Sequence, residues 1–184
     1  MGILRDKYHE ILKDVKSITE KLRHYEETDI VLAPPGDVFE FVDNPLNLSK
    51  HMEEPKPEML WGWMKNTPDE KGGRVVGSVM KVKGNVLGID ISLVEKVIQR
   101  EVPKRKAWQT FNGINLIVIG HYTMGFEIEP RENDSNLRVY IDYELPKSRR
   151  TRWIGYLFGN MYATWCVKQV LNDTRKHFQD KRLQ

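Results

Sequence analysis

Between Leu116 and Ile128 every second residue is apolar or small: Leu116, Val118, Gly120, Tyr122, Met124, Phe126 and Ile128. The positions between them include His121, Thr123 and Glu127, and Glu129 follows. A period of two with this polarity predicts a strand that turns one face to a core and the other to water. After the turn-forming residues 131 to 136, Leu137, Val139, Ile141, Tyr143 and Leu145 repeat the pattern. A sheet with one apolar face has to be covered, so the elements left over to cover it decide the architecture.

Upstream the same reasoning predicts four more strands. Glu58 to Lys65 carries Trp61 and Trp63 on one face, and a loop from Asn66 to Gly73 follows. Arg74 to Lys83 sets Val76, Met80 and Val82 on one side, and Gly84-Asn85 reads as a tight turn. Leu87 to Val102 continues the sheet, Pro103 to Lys106 turns, and Ala107 to Phe111 is the next strand. Asn112-Gly113 suits a two-residue hairpin, so the charge-free stretch from Ala107 to Phe126 reads as two strands and not as a membrane helix. With a short strand at Ile30–Leu32 ahead of this six-strand meander, the sheet is expected to have seven antiparallel strands.

Four stretches are helical by pattern. Pro34-Pro35-Gly36 precedes Val38, Phe39, Phe41 and Val42 at helical spacing, and a second short helix runs from Leu46 to Met52. A long helix from Arg149 to Asp180 closes the chain. Trp153, Leu157, Met161, Thr164, Leu171 and Phe178 mark its apolar stripe, beside a line of small residues at Gly155, Gly159, Ala163 and Cys166. Glycine in a helix interior costs up to about 1 kcal/mol relative to alanine, so two on one face imply a close neighbour or room left for a ligand. The fourth is the N-terminus, where Leu4, Tyr8, Ile11, Val15, Ile18, Leu22 and Tyr25 form a heptad-like seam that predicts a helix over residues 3 to 26. That helix serves either to pack on its own domain or to join two copies in a homodimer.

The order of elements is therefore α+β: an N-terminal helical extension over 1–26, then one domain over 27–184. Strand twist curls such a sheet around its single long helix. One helix is too slender to fill the concave face, so a cavity between sheet and helix is expected, the usual place for a small ligand. The 184 residues, 30% of them charged, fit one globular domain with an appendage, and a net charge of only +3 supplies no general field for nucleic acid. The single cysteine, Cys166, excludes an internal disulfide and a Cys-rich zinc site, and agrees with a cytoplasmic setting. The charged N-terminus lacks the apolar centre of a signal peptide.

The segment from Asp29 to Met52, with Ala33, Pro34, Val38, Phe39, Asp43 and Pro45, resembles the opening of the START-like, Bet v 1-like helix-grip superfamily. The Gly77 strand, the stretch from Val102 to Thr110 with Trp108, and the long last helix extend the resemblance over about Glu26 to Phe178. It implies a helix-grip fold, and its polyketide cyclase/dehydrase-like and coenzyme Q-binding-like members span carriers, lipid transfer, cyclases and regulators. Residues 1 to 25 lie outside it.

No catalytic motif stands out: the chain has no His-Glu-x-x-His, Gly-x-Ser-x-Gly, Walker loop or dinucleotide fingerprint. His9, His24 and His177 are expected on helices and solvated, His51 near a cavity mouth, and His121, Asp90 and Asp142 on outward positions. No metal and no cofactor is expected. The residues expected to contact a ligand are Trp61, Trp63, Met80, Trp108, Tyr122, Met124, Phe126, Tyr143, Leu157 and Met161. Trp153 is placed with them on the inner surfaces, and the same side chains would also serve as an ordinary packed core.

The expected function is binding or transport of a hydrophobic small molecule of lipid, quinone or polyketide-like class. An enzyme of the cyclase or dehydratase type would need an acid or base pointed inward, and a hydrogen-bonded histidine or carboxylate in the cavity would favour it. The third alternative is an oligomeric interaction module. Finally, Lys147, Arg149, Arg150 and Arg152 precede Trp153, Tyr156 and Phe158. That run reads as a charged helix start or a peripheral contact with an anionic membrane; nucleic acid ranks last because no binding motif accompanies it.

Overall fold

The computed structural model describes residues 22–49, 63–86, 89–112 and 118–182. The strands are β1 (Arg23–Val31), β2 (Trp63–Pro68), β3 (Val79–Val86), β4 (Ile89–Glu101), β5 (Arg105–Asn112), β6 (Tyr122–Arg131) and β7 (Asp134–Tyr143). The helices are α1 (Pro35–Asp43), α2 (Pro45–Ser49) and α3 (Arg149–Arg182). All seven strands join one antiparallel sheet in the order β1-β7-β6-β5-β4-β3-β2. This is the expected meander, with the first strand added beside the last. α3 packs chiefly on β1 and β7, and α1 lies over β6 and β7. Their common core includes Val31, Val38, Phe39, Phe126, Val139, Ile141 and Val167, all buried. No helix among the described residues is long and apolar enough to cross a membrane.

The structure corrects the expected elements at several places; Asn66 to Pro68, expected in a loop, extend β2, and Arg105 and Lys106, expected in a turn, begin β5. Arg23 to Glu26, expected at the end of a helix, are the first residues of β1, which pairs with β7 from Arg23↔Tyr143 to Val31↔Ser135. Their mixed charged and apolar spacing fits either element, and the open edge of β7 offers backbone groups that need partners. Residues 3 to 21 of the expected helix, with the dimer seam along them, lie outside the described residues; Leu22 is described and is not helical.

The third strand begins at Val79 and not at Arg74, because a loop occupies residues 69 to 78. Asp69 builds that loop by accepting from the Ser78 hydroxyl at 2.5 Å and from the backbone N–H groups of Val79 at 2.9 Å and Lys71 at 3.1 Å. Gly73 and Gly77 supply the positive φ angles of 70° and 87° that it requires. Val76, expected on an inner face, is consequently exposed in the loop. Gly84 and Asn85 are not a turn but part of β3, where Gly84 faces Met64. A Cβ on Gly84 would collide with the Trp63 carbonyl oxygen. The sixth strand starts at Tyr122; Val118 to Gly120 precede it as buried, irregular chain, with the Gly120 N–H bonded to the Glu144 carbonyl at 2.7 Å. Gly113 of the expected hairpin turn lies outside the described residues.

The largest correction concerns which side of α3 faces the sheet. Trp153, Leu157 and Met161 are exposed, whereas Gly155, Gly159 and Ala163 are buried. A Cβ on Gly155 would sit 2.5 Å from Pro146 Cδ and 3.0 Å from the Val118 carbonyl oxygen. On Gly159 it would meet the Tyr143 ring at 3.3 Å. The small residues are there so that the helix backbone can approach this close, and the large side chains of the same turns are thereby turned outward.

Candidate functional site

Between the concave face of the sheet and the middle of α3 lies a cavity of about 90 Å³, measured as the space open to the centre of a water-sized sphere. A single water needs about 10–15 Å³ by that measure, so the hollow has room for a small organic group. Its walls follow from the strand period. Five strands each contribute residues two apart: Met64 and Asn66 from β2, Met80 and Val82 from β3, Leu93 and Glu95 from β4, Lys106 and Trp108 from β5, Tyr122 and Met124 from β6. Ile119 and Ile141 complete the floor, Pro45 and Leu48 of α2 close one side, and Tyr162, Trp165, Cys166, Gln169 and Val170 of α3 form the roof. The Tyr162 hydroxyl reaches across to Met64 Sδ at 3.9 Å, joining roof to the sheet's outer strand.

In this apolar lining Glu95 is the buried carboxyl. It is 5% exposed and keeps the inward phase of β4 with Ile91, Leu93 and Val97. The Tyr122 hydroxyl donates to Glu95 Oε1, and the Trp108 indole N–H also donates to the carboxyl. Burial is the dominant influence and raises its pKa to about 7, against the two hydrogen bonds and the Lys106 charge, which pull it down. Tyr122 is pushed well above its ordinary value by burial and by Glu95, and burial lifts the Cys166 thiol to about 12. Near neutral pH the cavity therefore holds a carboxyl present in both its protonated and ionised forms, beside neutral phenols and a neutral thiol.

Lys106 borders the same cavity, but its ammonium is committed elsewhere. Its Nζ lies 2.9 Å from Asp43 Oδ1 and donates to the Asp43 carbonyl at 2.6 Å. Asp43, at the end of α1, also accepts from Arg100 Nε at 3.1 Å and Nη2 at 2.9 Å. Burial acts to raise the Asp43 carboxyl, yet the hydrogen bonds from Arg100 and Lys106 outweigh it and hold the carboxyl below its usual range. Burial draws the Lys106 ammonium down, with Asp43 opposing. The cluster fastens α1 to β4 and β5 directly beside the cavity.

Among the side chains expected to contact a ligand, the structure brings Met80, Trp108, Tyr122 and Met124 together on the cavity wall. Phe126 and Tyr143 are buried but belong to the surrounding core: Phe126 packs edge-on against Phe39 with ring centres 5.6 Å apart, and Tyr143 lies under Gly159. Trp63 is on the outer face of β2, and Leu157 and Met161 are on the outer face of α3, away from the cavity. Trp153 is likewise exposed. Trp61, His9 and His51 lie outside the described residues.

His121, Asp90 and Asp142 are outward as expected. His24 is in β1 and not on a helix; it pairs with Asp142 at 2.7 Å and Glu26 at 2.9 Å, and those partners raise its pKa. His177 is half-buried, stacked on Phe41 with ring centres 4.2 Å apart. No group of histidines, cysteines and carboxylates that could hold a metal occurs among the described residues. Glu95 and Lys106 were not among the expected site residues, although each occupies an inward phase otherwise filled by apolar side chains.

No protein-family model matches the chain, and no curated protein matches it by sequence. Solved structures do. A norcoclaurine synthase from Thalictrum flavum in complex with dopamine and hydroxybenzaldehyde superposes with a TM-score of 0.59 at 15% identity, covering 86% of this chain and 87% of that one. The Zhui aromatase/cyclase from Streptomyces sp. R1128 gives 0.59 at 14% identity, over 89% and 96% of the two chains. A major latex-like protein from Panax ginseng gives 0.58 at 12% identity, over 86% and 98%. At these identities the likeness concerns architecture. The curled seven-stranded antiparallel sheet gripping one long C-terminal helix is the Bet v 1-like helix-grip fold, and this chain has it.

Proposed function

We propose that the protein binds a small, mainly apolar molecule, of lipid, quinone or polyketide-like class, in the cavity between sheet and α3. The observation that carries this reading is the cavity's composition: methionine, aliphatic and aromatic walls with a few convergent polar groups, among which Glu95 is almost fully buried. Met80, Met124 and Trp108 provide soft and flat surfaces against which rings or chains pack. Glu95 anchors one polar atom of the ligand, donating a hydrogen bond when protonated and accepting one when ionised. That a norcoclaurine synthase of the same fold holds two small aromatic molecules is consistent with this use of the architecture. Native mass spectrometry of the protein purified from cells tests it. A bound mass released by organic solvent supports the reading; a bare chain that also takes up no lipophilic compound at micromolar levels refutes it.

One observation favours a second reading, a cofactor-independent cyclase or dehydratase. A carboxyl with a pKa of about 7 inside an apolar cavity is suited to take a proton from a bound carbonyl compound and return it. In that reading Glu95 accepts the α-proton from carbon and the electron pair moves to the carbonyl oxygen as an enolate; in a dehydration the enolate then expels the β-hydroxyl, which takes the proton from Glu95 and leaves as water, and with no leaving group present the proton returns to carbon. Exchange of the α-protons of β-tetralone in D2O, followed by NMR, is the test. Acceleration by the wild type and its loss in Glu95→Gln support acid–base chemistry; equal rates with both proteins leave binding as the function.

A further inference from the structure

The first turns of α3 present an apolar face that the fold does not use. Trp153 is 58% exposed, Tyr156 56%, Leu157 66% and Met161 49%. Spaced by three, one and four residues, they form one stripe along the helix. The stripe is outward because the glycines of the same turns are pressed on Tyr143 of β7 and on the irregular chain at Val118, Leu145 and Pro146. Along the helix itself the charge is of one sign. From Leu145 to Asn172 the chain contains no Asp or Glu, but it carries Lys147, Arg149, Arg150, Arg152 and Lys168, the last of them paired with Glu27 of β1 at 3.9 Å. The whole chain has a net charge of only +3, so the remainder is acidic on balance and the basic character is concentrated here. Lys147 and Arg152 are exposed, and among the described residues neither has a carboxylate partner. Cations at a helix N-terminus oppose its macrodipole, so they do not serve the helix. Arg23, at the start of β1, adds a further cation, its guanidinium 5.1 Å from the centre of the Tyr156 ring.

We propose that this end of α3 is a docking face for an anionic lipid membrane, with Trp153, Tyr156, Leu157 and Met161 entering the headgroup boundary and the surrounding lysine and arginine side chains meeting the lipid phosphates. Tryptophan and tyrosine are the side chains that favour the membrane–water interface, and the stripe has one of each beside two flexible aliphatics. The charge pattern decides between possible occupants. A second copy placed symmetrically on this face would bring two acid-free basic clusters together. A nucleic acid would match the cations but leaves Leu157 and Met161 unused. An anionic bilayer satisfies both halves of the face. The surface is independent of the cavity's occupant, although it would set a carrier or enzyme of apolar molecules at the place where such molecules dissolve.

Co-sedimentation of the full chain with vesicles tests the proposal, using phosphatidylcholine alone and phosphatidylcholine with phosphatidylglycerol. The protein is expected to pellet with the anionic vesicles, weakly or not at all with the neutral ones, and less as salt is raised. Lys147→Glu with Arg152→Glu should weaken binding to anionic vesicles by at least about fivefold for each cation replaced. Trp153→Ala with Leu157→Ala should weaken it by about tenfold or more, while both double variants keep the wild-type thermal midpoint because the side chains are exposed. No pelleting, equal pelleting with both vesicle types, or pelleting indifferent to these substitutions would overturn the proposal. So would a wild-type dimer in sedimentation velocity that Trp153→Ala/Leu157→Ala dissolves, or binding to homopolymeric RNA in place of vesicles.

Discussion

The Tyr122 hydroxyl donates to the Glu95 carboxyl inside the cavity, joining β6 to β4 across the intervening strand. Residues 27 apart in sequence are brought together because both take the inward phase of their strands. The pair sets the chemistry of the hollow. Tyr122 stays neutral at ordinary pH, Glu95 changes charge near neutrality, and the nearest cation, Lys106, is held by Asp43.

A carboxyl raised from 4.5 to about 7 makes folding depend on pH. Between the two values the folded protein holds a proton that the unfolded chain has lost, so stability falls as pH rises. The contribution is fully present below the unfolded value and is gone above about 7, a change of about 3 kcal/mol. Glu95→Gln should abolish this slope and be more stable than the wild type at pH 8. Thermal midpoints of both proteins from pH 5 to 8 provide the measurement.

Asp43 should behave in the opposite sense. Its carboxyl is held below the ordinary range by Arg100 and Lys106 despite burial, so its contribution is present above the unfolded aspartate value and is lost as pH falls through the folded one. Asp43→Asn leaves Lys106 buried without a counter-charge and should cost about 3–5 kcal/mol in urea unfolding at pH 7. The acid limb of its stability profile should be flatter than that of the wild type.

Alanine at Gly155 would ordinarily strengthen a helix by up to about 1 kcal/mol. Here the added methyl meets Pro146 Cδ at 2.5 Å and the Val118 carbonyl oxygen at 3.0 Å. Gly155→Ala should therefore destabilise, by about 1–3 kcal/mol, with the loss visible in chemical denaturation.

Tyr143 offers a contrast. Its hydroxyl is buried with no hydrogen-bond partner among the described residues. Removing an unpaired buried hydroxyl recovers a desolvation penalty, so Tyr143→Phe should be neutral or stabilising by about 1 kcal/mol. A lowered thermal midpoint for this variant would show that the hydroxyl has a partner.

The sheet was legible because alternation is a strong signal: in β6 and β7, Tyr122 to Ile128 and Leu137 to Tyr143 face inward in the expected phase. The facing of α3 was not legible. Its small residues and its large apolar residues recur with the same period, and only the closeness of Val118 and Pro146 decides which line turns to the sheet. The start of β1 is not legible because Leu22 and Tyr25 continue a helical seam, while the pairing that makes Arg23 to Glu26 a strand comes from β7, more than a hundred residues away. Glu95 carried a readable signal, a carboxylate in register with Ile91, Leu93 and Val97, but a charged residue in a strand is assigned to the wet face by default. Lys106 in phase with Trp108 is the same case; its partner Asp43 lies on a different element and becomes visible only in three dimensions.

A fluorescence titration of the full chain with N-phenyl-1-naphthylamine, repeated on Val82→Phe, asks most directly whether the space between sheet and α3 holds apolar guests. Val82 is on the cavity wall, and the larger ring fills space that a guest would occupy. The expected result is saturable binding of one dye per chain at roughly micromolar concentration, weakened about tenfold or more in Val82→Phe at a similar thermal midpoint. A dye signal that never saturates, or one that Val82→Phe leaves unchanged, would contradict a binding cavity at this place.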